Sequence, residues 1–319
     1  MSADSSKLLF VNYHYIRDAN AYPYPGIHPI APDAFKQQLL WLKEHFYIAQ
    51  PCEVEDFFLE GRKFKTTSIF ITFDDGLVDH WHAARDVLDP LGIKAAFFVC
   101  SRPALEGRAL TVHKIHWLRA HSDPKDFTEE LFSYLAADQR PGDDEPWSAA
   151  AERMYIYDVP KVARLKFALN FILPSDVVDQ VTSRMLLARG VEESAFCRDT
   201  YMSDDQLRGL AERGHIVGLH GHSHTPFPRL GEVVFSELKQ NRDYIARACR
   251  DYKGWVSYPN GREDAIPDTA TLRSLTADLD LRLGFTMLGG WNDGSEDRMH
   301  IHRINNNEVA AVLGSATIA

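Results

Sequence analysis

The chain has 319 residues, a mass of 36.2 kDa, and 35 basic against 45 acidic side chains, for a net charge of -10. The acid excess argues against a nucleic-acid partner, which needs a basic face, and 45% hydrophobic with 25% charged residues excludes wholesale disorder. No apolar run approaches the roughly 18 residues of a membrane span.

Met1 to Tyr15 carries one basic residue and only Leu8–Val11 as an apolar stretch, unlike a secretory signal. Cys52, Cys100, Cys197 and Cys249 are scattered without a CxxC pair. They read as reduced thiols of a cytoplasmic protein, not as a disulfide frame or a thiolate zinc site.

In chain order, Leu8-Leu9-Phe10-Val11-Asn12-Tyr13 predicts a buried strand. Pro23, Pro25, Gly26 and Pro29 mark an irregular loop. Pro32-Asp33 followed by Phe35, Leu39, Leu40 and Leu42 predicts a capped amphipathic helix. Ser68 to Phe73 is the clearest strand and ends in Asp74-Asp75-Gly76. A helix over Trp81 to Leu91, closed by Gly92, and a strand over Ala95 to Val99 complete a βαβ unit. From about 104 to 200 strands vanish and helical periods take over, broken near Pro141-Gly142-Asp143-Asp144. Because strand–helix alternation then resumes, this stretch reads as a helical insertion into one domain spanning 1–319.

Beyond it, Asp204 to Arg213 predicts a helix stopped by Gly214, and His215 to Leu219 a strand entering a histidine-rich loop. Phe235 to Cys249 predicts a long helix, and Trp255 to Tyr258 a strand meeting the turn Pro259-Asn260-Gly261. Gly284 to Leu288 and Met299 to Ile304 are late strands. Repeated strand–helix units imply a parallel α/β sheet, open or closed into a barrel.

In such folds chemistry gathers at the carboxyl ends of strands. His14, Asp74-Asp75, the His220–His224 cluster and Pro259-Asn260-Gly261 all fall there. Two adjacent carboxylates beside an apolar run repel unless partnered. One can bind a metal while its neighbour serves as a base, although an isolated Asp-Asp-Gly also suits a helix cap. His220-Gly221-His222-Ser223-His224 offers imidazoles at i, i+2 and i+4. Two imidazoles and one carboxylate form a common divalent-metal site. His14 alone reads as a hydrogen-bonded histidine at a core edge.

Thr72-Phe73-Asp74-Asp75-Gly76, His220-Gly221-His222-Ser223-His224 and Tyr258-Pro259-Asn260-Gly261 together resemble the motifs of the polysaccharide deacetylase family, metal-dependent carbohydrate esterases that share the NodB-homology domain. Met202 to Gly218 is similar to the family's helix and strand before the histidine motif. The resemblance implies a distorted (β/α) barrel with the helical insertion, and removal of an N-acetyl group from a sugar. It implies one divalent ion, zinc first, held by Asp75, His220 and His224. Asp74 would be the general base and the Asn260 N–H an oxyanion donor, with Tyr258 and Pro259 beside it. Apart from the resemblance, Trp291 is an aromatic able to stack on a sugar face, although large aromatics are more often core or rim residues. His222 falls where the family varies and ranks below its neighbours.

Two departures stand out. Ser257 occupies the position where the family often carries an arginine that steadies the catalytic aspartate, and Arg303 is the substitute. The usual late general-acid histidine has only a poor match in Met299-His300-Ile301-His302-Arg303, whereas His14 fits the Tyr-His context of circularly permuted relatives. His14 is therefore the expected acid, with His302 second. The expected partner is an acetylated intracellular sugar, nucleotide-linked, lipid-linked or free, with a homo-oligomer left open. Hydrolysis of another C–N bond on the same fold, and non-catalytic sugar binding, are the alternatives.

Overall fold

The computed structural model describes residues 7–18, 29–136, 139–141, 146–155 and 159–314. The loop at Pro23–Gly26 and the break at Gly142–Asp144 lie outside them. The chain divides into two compact units, one comprising 1–21, 28–107 and 197–319, the other 22–27 and 108–196.

The first unit is a parallel barrel. Its strands are β1 (Leu8–Tyr13), β2 (Tyr47–Ile48), β3 (Ser68–Phe73), β4 (Ala95–Val99), β5 (Ile216–Leu219), β6 (Trp255–Ser257), β7 (Leu283–Phe285) and β8 (Arg303–Asn305). They lie in the order β7-β6-β5-β4-β3-β1-β8, with β2 added to the start of β3. The two ends of this sheet meet: Thr286 N donates to Ile301 O at 2.8 Å and Ile301 N to Gly284 O at 2.9 Å. The sheet is thereby a nearly closed, distorted (β/α) barrel with flanking helices.

Strand alternation sorts the core into two layers. Phe10, Phe70, Phe98, Trp255 and Phe285 fill the barrel interior. Leu9, Val11, Ile69, Ile71, Phe97 and Val256 face the helices. Among these helices are Pro32–His45, with Phe35, Leu39 and Leu42 buried, and Val234–Cys249, with Leu238 and Ile245 buried. Gly218 on β5 makes room for this packing, since a Cβ there would lie 2.7 Å from the Phe98 ring.

The second unit is helical among its described residues, with a core that includes Leu118, Phe127, Leu165, Val181 and Met185. Lys114, fully buried, is held there by Asp179 at 2.5 Å and Ser183 at 2.8 Å.

Several boundaries differ from expectation. The helix expected from Trp81 begins at Val78 and passes through a π-helical turn at Ala84–Leu88 before ending at Leu91. β7 stops at Phe285, because the Thr286 hydroxyl turns to Ile301 O and Met287 N donates to Gly261 O. β8 begins at Arg303, with Ile301 contributing only an isolated bridge. β2 and the helix Pro51–Leu59 have no counterpart among the elements the sequence predicts. Two residues carry no period to read. Among the described residues no helix is long and apolar enough to cross a membrane.

Candidate active site

The inward face of the barrel turns polar toward the carboxyl edge. Asn12, Thr72, Asp74, His220 and Ser257 follow Phe10, Phe70, Gly218 and Trp255 on their strands, and all five are buried. Arg303 projects into this polar layer with no exposed surface. Its Nη1 donates to Asp74 Oδ1 at 2.9 Å and its Nη2 to Asp74 Oδ2 at 2.8 Å. The remaining donors reach Thr286 O at 2.9 Å, Asn12 Oδ1 at 3.0 Å and Ser257 Oγ at 2.7 Å. Asn12 Nδ2 also donates to Asp74 Oδ2 at 3.1 Å. Burial alone would raise the Asp74 pKa. The charge of Arg303, then His220, the Arg303 hydrogen bonds and His14 outweigh it and bring the carboxyl down to about 2.

Asp75 would point away from its neighbour in a continuing strand. Instead its φ is 81° and that of Gly76 is 75°, so the chain turns through the left-handed region and both carboxylates stay at the edge. Gly76 is further constrained, since a Cβ there would meet the Val99 side chain at 2.8 Å. Asp75 Oδ1 lies 3.3 Å from His220 Nε2 and 3.2 Å from His224 Nε2. The three donor atoms fall within 4.8 Å of one another.

This donor set fits a divalent ion. A tetrahedron built on ordinary zinc–nitrogen and zinc–oxygen bond lengths has edges of about 3.4 Å. His220 Nδ1 donates to Ser257 O at 2.9 Å, which places its proton there and leaves the Nε2 lone pair facing Asp75. Burial opposes charge on His220, yet Asp74, Asp75 and the Ser257 carbonyl together raise its pKa. The pocket therefore attracts positive charge.

The histidine loop is held from behind. Asn241 Oδ1 accepts from His220 N at 3.0 Å, while Glu237 accepts from His222 N at 3.2 Å and Ser223 N at 3.0 Å. The His222 ring is engaged elsewhere. Its Nε2 donates to Glu106 Oε1 at 2.9 Å, and its Nδ1 lies 2.9 Å from Ser101 Oγ.

His14 follows β1 at the same edge, close enough for its charge to act on Asp74. Pro259 is buried beside the histidine loop, and Asn260 is exposed with a φ of 67°. The Tyr258 ring is not available to a substrate. It is buried, its hydroxyl donates to Met299 O at 2.9 Å and its N–H to Phe285 O at 3.1 Å. Within this segment Pro259 has no N–H, and the Tyr258 N–H is taken, whereas Asn260 and Gly261 each carry one.

The structure does not bring His302 or Trp291 to this group. Arg303 pairs with Phe10, so His302 sits level with Leu9, five residues short of His14, or about 16 Å along the strand. Alternation that turns Arg303 inward turns His302 away, and its N–H and C=O are taken by Asn292. Trp291 packs on the helix-facing core, beside Asn292, which pairs with Leu8 at the amino edge.

Asn12, Thr72, Asn241 and Glu237 also hold the site, and no motif assigns them a role. A polar residue at an inward position of an apolar strand, or at Asn241 between Leu238 and Ile245 on a buried helix stripe, is the signal that marks the first three.

A polysaccharide deacetylase family model matches residues 61–135 and 169–283, more than half of the chain. The curated relative YxkH of Bacillus subtilis (strain 168), a candidate polysaccharide deacetylase, is 26% identical over 117 residues, covering 36% of this chain and 40% of its own length. Among solved structures, the Streptococcus pyogenes deacetylase PplD in complex with acetate is 16% identical, with a TM-score of 0.57 over 94% of this chain and 92% of that one. IcaB from Ammonifex degensii is 15% identical, with a TM-score of 0.57 over 97% and 96%. Those structural likenesses speak for the fold, and the family match covers the Asp-Asp and histidine motifs as well as Tyr258-Pro259-Asn260-Gly261. The chain belongs to the polysaccharide deacetylase family.

Proposed function

We propose that the protein is a metal-dependent carbohydrate de-N-acetylase, with zinc as its ion. The observation that carries this reading is the convergence of Asp75, His220 and His224 beside Asp74, a carboxylate kept ionised by Arg303. When bound, the ion acidifies water and polarises the acyl oxygen.

The chain's own residues supply the rest. Asp74, at about 2, is a weak base; it accepts a proton only from water that is already acidified. Arg303 and Asn12 fix both its oxygens, so the carboxylate cannot swing away from the ligand set. The Asn260 N–H offers charge stabilisation to the developing oxyanion, a contribution of roughly 3–4 kcal/mol per donor where such donors have been removed. His14, as imidazolium, gives its proton to the departing amine.

The substrate class is an N-acetylated amino sugar, and acetate, which the S. pyogenes relative binds, is the expected product. All four cysteines are free thiols, which suits a reducing compartment and supports a cytoplasmic location. Acetate release from a panel of N-acetylated sugars, with and without chelator, tests the assignment. Chelator-sensitive release on at least one sugar is expected. Release that is indifferent to chelator, or full metal loading with no release across the panel, contradicts it.

A further inference from the structure

His80 has no part in the chemistry above, yet it is fully buried one helical turn beyond Asp75-Gly76. Its Nε2 donates to the His14 carbonyl at 2.7 Å. A carbonyl only accepts, so the proton is on Nε2. Its Nδ1 is buried with no hydrogen-bond partner among the described residues. The ring rests against Phe73, with centroids 5.1 Å apart, and Phe97, at 6.2 Å. Burial pushes its pKa down to about 4 against the pull of Asp79, so it is neutral at ordinary pH and adds no charge beside His14.

The bond from His80 completes a clamp. Tyr13 O, on the peptide before His14, accepts from Asp74 N at 3.2 Å, and His14 O, on the peptide after it, accepts from His80. Both peptide planes flanking the His14 Cα are thereby pinned, which fixes the direction of its Cα–Cβ bond. Just beyond, Asp79 accepts from Ile16 N at 3.0 Å and from Arg17 Nε and Nη2 at 2.7 Å each.

We infer that His80 is a positioning residue, holding the His14 side chain on the reacting centre by way of the His14 carbonyl. This rests on the reading of His14 as the acid. A misplacement of about 1 Å is enough to cost on the order of 100-fold in rate.

The test is a double-mutant cycle on the metal-loaded enzyme, following acetate release. His14→Ala alone checks the underlying reading: unchanged kcat would remove His14 as the acid, whatever His80 does. With that effect present, His80→Leu is expected to lower kcat on the order of 10- to 100-fold, with KM within about twofold and metal content unchanged. In the His14→Ala background the same change should cost less than about twofold, because there is no side chain left to aim. An equal loss in both backgrounds overturns the inference. Because His80→Leu is informative only if folded, His80→Gln and His80→Asn form a second pair, checked by thermal melting. Gln carries an amide N–H to about the place of Nε2, whereas Asn stops near Nδ1. Gln should retain most of kcat and Asn should lose it; equal activity in the two sinks the proposal.

Discussion

Arg303 grips both carboxylate oxygens of Asp74 across 229 residues of sequence, in a pair with almost no exposed surface. Ser257 makes this possible. It is small, it sits on β6, and its hydroxyl accepts from Arg303 Nη2 at 2.7 Å. The guanidinium thus reaches the carboxylate from β8 across the space that Ser257 leaves open.

Removing one member of a buried pair leaves the other charged and dry. Asp74→Asn and Arg303→Met should each destabilise the fold by about 3–5 kcal/mol, and the double variant should recover part of that loss. Turnover should fall in all three. Denaturant midpoints and acetate release, measured together, check both halves. A double variant that regains activity would separate the pair from the chemistry.

The pair also sets a dependence on acid. Asp74 titrates at about 2 in the folded chain against an ordinary 3.8, so the folded state favours its ionised form. The resulting stability is complete above about pH 4 and is lost as pH falls toward 2, on the order of 2 kcal/mol. Urea midpoints between pH 5 and pH 2 should fall more steeply for the wild type than for Asp74→Asn/Arg303→Met. Parallel curves would contradict the assignment of this component to Asp74.

The two outer histidines of the loop should separate from the middle one. His224→Ala should lose most metal affinity, since its Nε2 faces Asp75. His222→Gln should retain a full complement, because Glu106 and Ser101 hold that ring. Calorimetric titration with zinc distinguishes them; loss of the ion in His222→Gln would return that residue to the ligand set.

Asn260 holds a left-handed φ of 67° that glycine adopts freely and alanine does not. Asn260→Gly should therefore keep both stability and kcat, since the N–H remains. Asn260→Ala should cost about 1 kcal/mol in stability, again with the donor in place. Asn260→Pro deletes the N–H and, because its ring fixes φ at about −65°, also shifts the backbone; it should lower kcat by at least on the order of 100- to 1,000-fold. Retained turnover in a folded Asn260→Pro protein would remove this donor from the reaction.

The barrel was readable because its long strands are bounded by clear turns: Leu8–Tyr13, Ser68–Phe73 and Ala95–Val99 lie where the apolar runs predict them. The carboxyl-edge groups were readable because Asp74-Asp75-Gly76 and His220–His224 each crowd several donors into a few residues. The late chain was harder. Met299 to Ile304 looks like one continuous strand, yet β8 begins only at Arg303, Ile301 makes an isolated bridge to Phe285, and the register decides which neighbours face inward. Composition cannot tell Arg303 from His302; a one-residue difference in alternation does. Tyr258 and Trp291 carry aromatic surface suited to sugars, but Tyr258 is buried in the core and Trp291, partly buried, packs against it away from the site.

The metal content of the purified chain tests the central claim most directly. One divalent ion per wild-type chain, lost in the Asp75→Asn/His220→Ala/His224→Ala variant while the fold survives by circular dichroism, is the predicted result. A triple variant that binds the ion as tightly as the wild type would contradict it.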